Sequence, residues 1–111
     1  MSAKDLFERL NRRGRGEENF FLLDVRNENE SEICSIPGTD FLIPVKSLKK
    51  RIGELEGKIP KSREVIVYCK SGVRSVTGSE ILLESDFQKV SHLAGGILSY
   101  IRDVDSTLPD Y

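Results

Sequence analysis

Blocks of apolar residues alternate with polar stretches along the chain, and each block predicts one secondary-structure element. Leu6 and Leu10 repeat at helical spacing behind a Ser2–Asp5 capping pattern, which predicts a first helix ending near Gly14. The run 20–25, apolar except for Asp24, is typical of a parallel strand that is covered on both faces. The polar segment 27–34 predicts a short helix, and the run 40–43 before Pro44 predicts a second strand.

The second half of the chain continues this alternation. Leu48, Ile52 and Leu55 share one helical face, and the β-branched run 65–68 predicts a buried strand, followed by a helix to about Ser85. A weaker strand is expected at 90–93, then a final amphipathic helix and an irregular tail over 106–111. Four alternations of strand and helix predict an α/β domain with a parallel central sheet of four to five strands and helices on both faces.

Length and composition indicate one ordinary globular domain spanning residues 1–111. With 17 basic and 18 acidic side chains the net charge is -1, which argues against a nucleic-acid groove. There is no apolar run of membrane-spanning length and no apolar core of a secretion signal, so no membrane contact and a cytoplasmic location are expected. Cys34 and Cys69 lack the spacing of zinc ligands or a disulfide scaffold, which fits free thiols in a reducing compartment.

The junction at Cys69 is the most informative part of the sequence for chemistry. Cys69 ends a predicted strand, and Lys70, Gly72 and Arg74 follow before the next helix. Unpaired N–H groups at a helix amino terminus favour a thiolate or an anionic ligand by about 0.3–1 kcal/mol per charge at exposed sites. Asp24 also falls at a strand's carboxyl end, so the topology of a parallel sheet predicts one site that contains both residues. The pattern indicates a nucleophilic cysteine in an anion-binding loop.

Four segments carry a resemblance to a known family along almost the whole chain. They are Leu23-Asp24-Val25-Arg26 with Glu28 and Glu30, Ile36-Pro37-Gly38 with Ile43-Pro44, Tyr68-Cys69-Lys70-Ser71-Gly72-Val73-Arg74-Ser75, and Leu93-Ala94-Gly95-Gly96. In this order they resemble the rhodanese homology domain, the sulfurtransferase fold, although Cys34-Ser35 stands where many members carry histidine. Residues 32–34 and the ending 104–111 are similar to the carboxyl-terminal rhodanese domain of adenylating enzymes that activate ubiquitin-like sulfur carriers.

The resemblance implies a sulfurtransferase that works through a persulfide on Cys69. The sulfur would come from thiosulfate or a persulfide donor and pass to a nucleophile, which is cyanide in vitro or a sulfur-carrier protein. The substrate-binding loop would comprise Lys70, Ser71, Gly72, Val73, Arg74 and Ser75, in which Lys70 and Arg74 bind the small anionic donor and the amides hold the transferred sulfur. A cysteine desulfurase is a further candidate partner, and no cofactor or metal is expected.

Supporting roles are hypothesised for two residues near the first strand. Asp24 would orient the loop through hydrogen bonds to its backbone, and Arg26 with Glu28 or Glu30 would form a surface ion pair. Cys34 and His92 are expected to be structural, and Gly95 and Gly96 to permit positive φ or close backbone approach. The basic run 46–51 is expected to be a solvated helix face rather than a docking patch for an acidic protein.

Other functions stay open at the level of sequence. Cysteine phosphatases and arsenate reductases that resemble rhodaneses place five residues between cysteine and arginine, whereas this chain has four, and Tyr68 stands where those phosphatases usually have histidine. A shorter loop forms a smaller ring of backbone N–H groups, which suits a single sulfur atom better than a tetrahedral phosphate. The remaining alternatives are an inert buried cysteine and a non-catalytic rhodanese-like binding or regulatory module.

Overall fold

The computed structural model describes residues 1–111, and its framework is a sheet of four parallel strands. The strands are β1 (Phe20–Asp24), β2 (Phe41–Leu42), β3 (Glu64–Tyr68) and β4 (Lys89–His92), in the order β2-β1-β3-β4. The register pairs Asp24 with Tyr68, so the carboxyl ends of the two central strands stand side by side. Residues that follow these strands therefore share one edge of the sheet, where parallel sheets bind ligands.

Six helices cover the two faces of this sheet. They are α1 (Ala3–Gly14), α2 (Glu28–Ile33), α3 (Val45–Leu48), α4 (Ile52–Glu56), α5 (Val73–Glu84) and α6 (Gly96–Asp103). Helix α1 packs with α6, and α3 packs with α5. None of the helices combines the length and the apolar content that crossing a membrane requires. The predicted α/β class, with a parallel sheet between helices, is confirmed.

Each face of the sheet has its own apolar core, because successive strand residues point to opposite faces. Leu22 and Ile66 belong to the core beneath α1 and α6, whereas Leu23 and Val67 belong to the core beneath α3, α4 and α5. The β1 and β3 runs thus supply both cores. On the second face Gly78 permits close contact of α5 with the sheet, since a Cβ there would stand 3.3 Å from methyl groups of both Val25 and Val67.

Two segments differ in detail from the sequence prediction. Strand β2 contains only two residues, and the segment with Leu48, Ile52 and Leu55 forms two short helices rather than one helical face. The break occurs at Arg51, whose φ of -100° and ψ of 11° lie outside the helical region. Leu48 and Leu55 are nevertheless fully buried, so the apolar pattern identified the core positions although not the break.

Candidate active site

Cys69 lies directly after β3, at the start of the loop that leads into α5. The residue is fully buried, and its Sγ accepts hydrogen bonds from the amides of Gly72 (3.1 Å) and Ser75 (3.3 Å). Gly72 is the N-cap of α5 with φ of 104°, a conformation that a residue with a Cβ rarely adopts. The sulfur therefore sits against the amino terminus of a 12-residue helix, where N–H groups and the helix dipole favour negative charge.

The amino terminus of α6 holds the same loop from the opposite side. The amide of Ile97 donates to the Cys69 carbonyl (2.9 Å), and the amide of Leu98 donates to the Lys70 carbonyl (3.1 Å). Gly96 has a φ of 62° and passes so near the loop that a Cβ would stand 2.6 Å from the Cys69 carbonyl oxygen. Gly95 also has positive φ. The expected role of this glycine pair, close backbone approach at positive φ, is confirmed.

Asp24 and Arg26 form a buried ion pair beneath the site. Both side chains are 0% exposed, and the guanidinium Nη2 and Nε lie 2.7 and 3.1 Å from Asp24 Oδ2. Nη2 also donates to the Cys34 carbonyl at 2.8 Å. The hypotheses that Asp24 bonds to the loop backbone and that Arg26 forms a surface pair with Glu28 or Glu30 are therefore wrong. A buried guanidinium needs an equally buried carboxylate, and Asp24 is the one beside it.

Arg74 is held by Glu30, which projects from α2. Its Nη1 and Nη2 lie 2.6 and 2.9 Å from the two oxygens of the Glu30 carboxylate, a bidentate arrangement. The same carboxylate accepts a hydrogen bond from the backbone N–H of Asn27. Asn27 is the N-cap of α2 and Glu30 is its N3 residue, so the two form a capping box. The hydrogen bonds from Arg74, followed by that from Asn27, hold the pKa of Glu30 at about 2. Glu30 is therefore ionised at neutral pH, and it engages two of the five N–H groups of Arg74.

Tyr111, in the irregular tail, joins the two ion pairs. Its hydroxyl accepts from Arg26 Nη1 (2.8 Å) and donates to Glu30 Oε2 (2.9 Å). The Lys70 Nζ lies 4.6 Å from the centroid of the Tyr111 ring, within cation–π range. Burial, with the Glu30 carboxylate, raises the pKa of Tyr111 to about 12, so the phenol keeps its proton at neutral pH. Both cations of the loop are thus in contact with Glu30 or Tyr111.

The structure brings the predicted loop together with Asp24 and Arg26 at one edge of the sheet. The amides from 71 to 75 are predicted to hold the transferred sulfur; in the structure those of Gly72 and Ser75 donate to the Sγ of Cys69 itself. Sequence reasoning missed Glu30 and Tyr111 as neighbours of the loop. The Asn27-x-x-Glu30 capping pattern was the only local signal for Glu30, and no local pattern marks Tyr111, which lies 85 positions from its partner Arg26.

The remaining candidate residues have structural contacts. Cys34 is a free, buried core residue, and its thiol donates to the Pro109 carbonyl at 3.4 Å, which agrees with the packing role expected for it. The buried Tyr68 hydroxyl contacts Thr39 Oγ1 at 2.8 Å and accepts from the Ile36 amide, and burial raises its pKa. No group of three or more His, Cys, Asp or Glu side chains is arranged to hold a metal ion.

Comparison with known proteins places this architecture in a family. The model of the rhodanese-like domain matches residues 2–103. A sulfurtransferase from Allochromatium vinosum is 33% identical over 95 residues, which cover 86% of this chain and 84% of that protein. The probable adenylyltransferase/sulfurtransferase MoeZ from Mycobacterium tuberculosis is 37% identical over 90 residues, which are 81% of this chain but only 22% of MoeZ.

Structural similarity agrees with these matches. The crystal structure of a rhodanese-related protein from Thermoplasma volcanium superimposes with a TM-score of 0.76 at 25% identity and covers 94% of this chain and 91% of that one. The match to the domain model and the match to the Allochromatium relative rest on sequence, and both extend far beyond the Cys69 loop. The chain therefore belongs to the rhodanese-like domain family, which includes proteins named as sulfurtransferases.

Proposed function

We propose that this protein is a sulfurtransferase that carries a sulfane sulfur on Cys69 as a persulfide. The observation that supports this most directly is the pair of amide hydrogen bonds, from Gly72 and Ser75, to the Cys69 sulfur. Donors aimed at the sulfur from a helix amino terminus stabilise a thiolate before the transfer and a persulfide anion after it. The proposal concerns residues 1–111 acting as one domain.

The reaction proceeds in two half-reactions. In the first, the Cys69 thiolate attacks the outer sulfur of the donor, and a new S–S bond forms as the donor's bond to that sulfur breaks. The electron pair leaves with sulfite when the donor is thiosulfate, or with the thiolate R–S⁻ when it is a persulfide R–S–SH. In the second, a nucleophile such as cyanide takes the outer sulfur, and the electron pair of the S–S bond returns to Cys69. With cyanide as the acceptor, no external oxidant or reductant is consumed.

The loop residues have assignable roles in this scheme. The amides of residues 71–75 surround the transferred sulfur, and the positive φ of Gly72 allows the curvature that this needs. Lys70 and Arg74 are the cations for an anionic donor, once they leave Tyr111 and Glu30. Asp24 and Arg26 support the site from below as a buried pair.

A protein is the proposed partner in one or both half-reactions. Val73, the first residue of α5, is 75% exposed, and Val76 one turn later is also exposed. These apolar side chains adjoin the sulfur loop, where a docked protein would cover them. Together with the resemblance to domains of carrier-activating enzymes, they support a ubiquitin-like sulfur carrier as acceptor or a cysteine desulfurase as donor. Two free cysteines fit a cytoplasmic location.

One observation favours a second candidate, a non-catalytic rhodanese-like binding module. Cys69 is 0% exposed, and the Arg74 guanidinium is already occupied by Glu30. Donor access to the sulfur therefore requires a rearrangement of the loop or its neighbours, which a binding module would not need.

Intact-protein mass spectrometry after incubation with thiosulfate or glutathione persulfide separates these candidates. The unmodified chain should gain one sulfur atom, which cyanide then removes as thiocyanate. Cys69→Ser should gain none, and Cys34→Ser is the matched control that should gain it normally. If neither donor adds sulfur to the unmodified chain, the sulfurtransferase proposal fails and the binding module becomes the better account.

A further inference from the structure

Glu30 and Tyr111 together contact both cations that follow Cys69 in the loop, Lys70 and Arg74. Arg74 uses its two terminal nitrogens on Glu30, and the Lys70 ammonium lies over the Tyr111 ring. The Tyr111 hydroxyl donates to Glu30 Oε2, so the two side chains form one unit, which we call the Glu30–Tyr111 clamp. In this conformation Glu30 neutralises the charge of Arg74 and Lys70 lies against an aromatic ring, so a sulfonate group must compete for both cations.

The clamp is anchored to the buried Asp24–Arg26 ion pair. Tyr111 accepts from Arg26 Nη1 at 2.8 Å, and Arg26 is itself fixed by the fully buried Asp24. The Glu30 side chain is 13% exposed, so water screens its attraction for Arg74 less than in an exposed pair. Its depressed pKa keeps it anionic at every ordinary pH. A divalent anion that approaches the loop therefore meets an arginine whose charge Glu30 already neutralises.

A donor whose reacting sulfur group is an uncharged persulfide does not meet this obstacle. Transfer from a persulfide R–S–SH requires only that its outer sulfur reach the Cys69 thiolate, and the leaving thiolate has no sulfonate group to be bound. Thiosulfate, in contrast, must bring two negative charges to the loop and release divalent sulfite there. Thiosulfate therefore needs Lys70 and Arg74 more than a persulfide does. By engaging these two cations, the clamp changes the preference between the two donors.

We propose that Glu30 and Tyr111 are positioning residues that set donor specificity, because they withhold Arg74 and Lys70 from small divalent anions and so favour a thiol persulfide over thiosulfate. This inference rests on the proposed function, since it concerns the donor of the same first half-reaction. It assigns a role to two residues outside the Cys69 loop, one on α2 and one in the irregular tail.

The first test measures kcat/KM for thiosulfate and for glutathione persulfide in matched variants. Glu30→Gln removes the charge but keeps a residue that can complete the capping box at N3, and Tyr111→Phe removes only the hydroxyl. We expect the thiosulfate-to-persulfide ratio to rise about tenfold in Glu30→Gln, mainly through a lower KM for thiosulfate, and about threefold in Tyr111→Phe. The exposed Glu28 lies on the same helix, so Glu28→Gln controls for the loss of one negative charge and should change the ratio less than about twofold.

The second test does not depend on sulfur transfer. Iodoacetate and iodoacetamide alkylate the same thiol and differ in charge, so the ratio of their rates at Cys69 reports how readily an anion reaches it. In a Cys34→Ser background, Glu30→Gln should raise the iodoacetate-to-iodoacetamide ratio about threefold, and Glu28→Gln should not. Thermal unfolding of each variant establishes that it remains folded.

The outcomes separate this inference from the proposed function. If Cys69 takes up sulfur but neither Glu30→Gln nor Tyr111→Phe raises the thiosulfate-to-persulfide ratio, the specificity role is overturned. If no donor loads Cys69 while Glu30→Gln raises the alkylation ratio, the sulfurtransferase proposal fails and the clamp survives as a barrier to anions. If neither ratio changes in any variant, the clamp is a structural contact only.

Discussion

Two acid–arginine pairs lie near the carboxyl edge of the sheet, and burial is the main difference between them. Asp24 and Arg26 are both 0% exposed, whereas Glu30 and Arg74 are 13% and 30% exposed. Both arginines contact both oxygens of their carboxylate. Since the geometry is similar, the difference in exposure decides what each pair can do.

A buried pair resists separation, because each charge would be left without water in a medium of low dielectric constant. A half-buried pair separates more easily, because solvent or a ligand can replace the lost partner. The Asp24–Arg26 pair is therefore suited to support the site structurally. In the Glu30–Arg74 pair, Arg74 can exchange Glu30 for a ligand during binding. The Tyr111 hydroxyl is hydrogen-bonded to both Arg26 and Glu30. It therefore connects the half-buried Glu30–Arg74 pair, the movable pair, to the buried Asp24–Arg26 pair, the fixed pair.

The largest expected effect comes from breaking the buried pair. Arg26→Ala leaves the Asp24 carboxylate buried without a counter-charge, and we expect the free energy of unfolding to fall by about 3–5 kcal/mol. Urea denaturation measures this loss. The exposed Arg51, which pairs with Glu54, is the matched control, and Arg51→Ala should leave stability unchanged within error. An Arg26→Ala protein as stable as the control would contradict the distinction between the two pairs.

Acidification tests the half-buried pair without changing Arg74. The pKa of Glu30 is lowered from 4.5 to about 2 by hydrogen bonds from Arg74, the Asn27 amide and Tyr111. A lowered pKa in the folded state means that the ionised group stabilises the fold above pH 4.5, and that this contribution disappears as pH falls towards 2. At neutral pH we expect Glu30→Gln to cost about 1–3 kcal/mol.

The measurement is a set of urea unfolding curves for the unmodified protein and Glu30→Gln between neutral pH and the acid limit of folding. The difference in unfolding free energy between them should shrink as pH falls below 4.5, because the unmodified protein then loses the charge that the variant lacks. A difference that stays constant with pH would show that the Glu30 charge does not stabilise the fold.

Removing the cation of the half-buried pair should affect both stability and donor use. We expect Arg74→Ala to cost about 1–2 kcal/mol of unfolding free energy, between the values typical of exposed and buried pairs. Thiosulfate loading should fall about tenfold, because the variant lacks a cation and leaves Glu30 unpaired beside the loop. Arg74→Lys should recover only part of this activity, since an ammonium lacks the planar fork of donors. Full recovery by lysine would show that the charge alone matters.

The features that were predicted correctly from sequence are formed by residues that lie next to one another along the chain. The runs at β1 and β3 are apolar except for Asp24 and Glu64 at their ends, because both faces of a parallel sheet are covered, and that pattern identifies a strand without knowledge of its neighbours. The Cys69 loop is equally local, since the strand, Gly72 and the helix that form it are consecutive in sequence. The glycine pair at the start of α6 was predicted for its backbone, and Gly96 indeed lies close to the carbonyl groups of the loop.

The parts that sequence did not predict depend on contacts between distant segments. Arg74 and Glu30 are 44 positions apart, and Tyr111 reaches Glu30 across 81 positions from a tail without regular structure. Hydrophobic periodicity carries no information on the path of such a tail. Arg26 was misread as a surface residue because arginine is seldom fully buried unless it is paired. Its partner Asp24 was predicted to face the loop instead.

Tyr111→Phe gives the smallest expected effect and measures how strongly the two pairs are linked. The variant loses one hydroxyl that accepts from Arg26 and donates to Glu30, so we expect a cost of about 0.5–1 kcal/mol, typical of one net hydrogen bond. A double-mutant cycle with Glu30→Gln isolates the part of this cost that passes through Glu30. Measurable coupling would mean that the tail restrains the movable pair, as the clamp requires. A cost as large as that of Arg26→Ala, with no coupling to Glu30, would instead assign Tyr111 to the fixed pair, because its hydroxyl would then act mainly by satisfying the buried guanidinium.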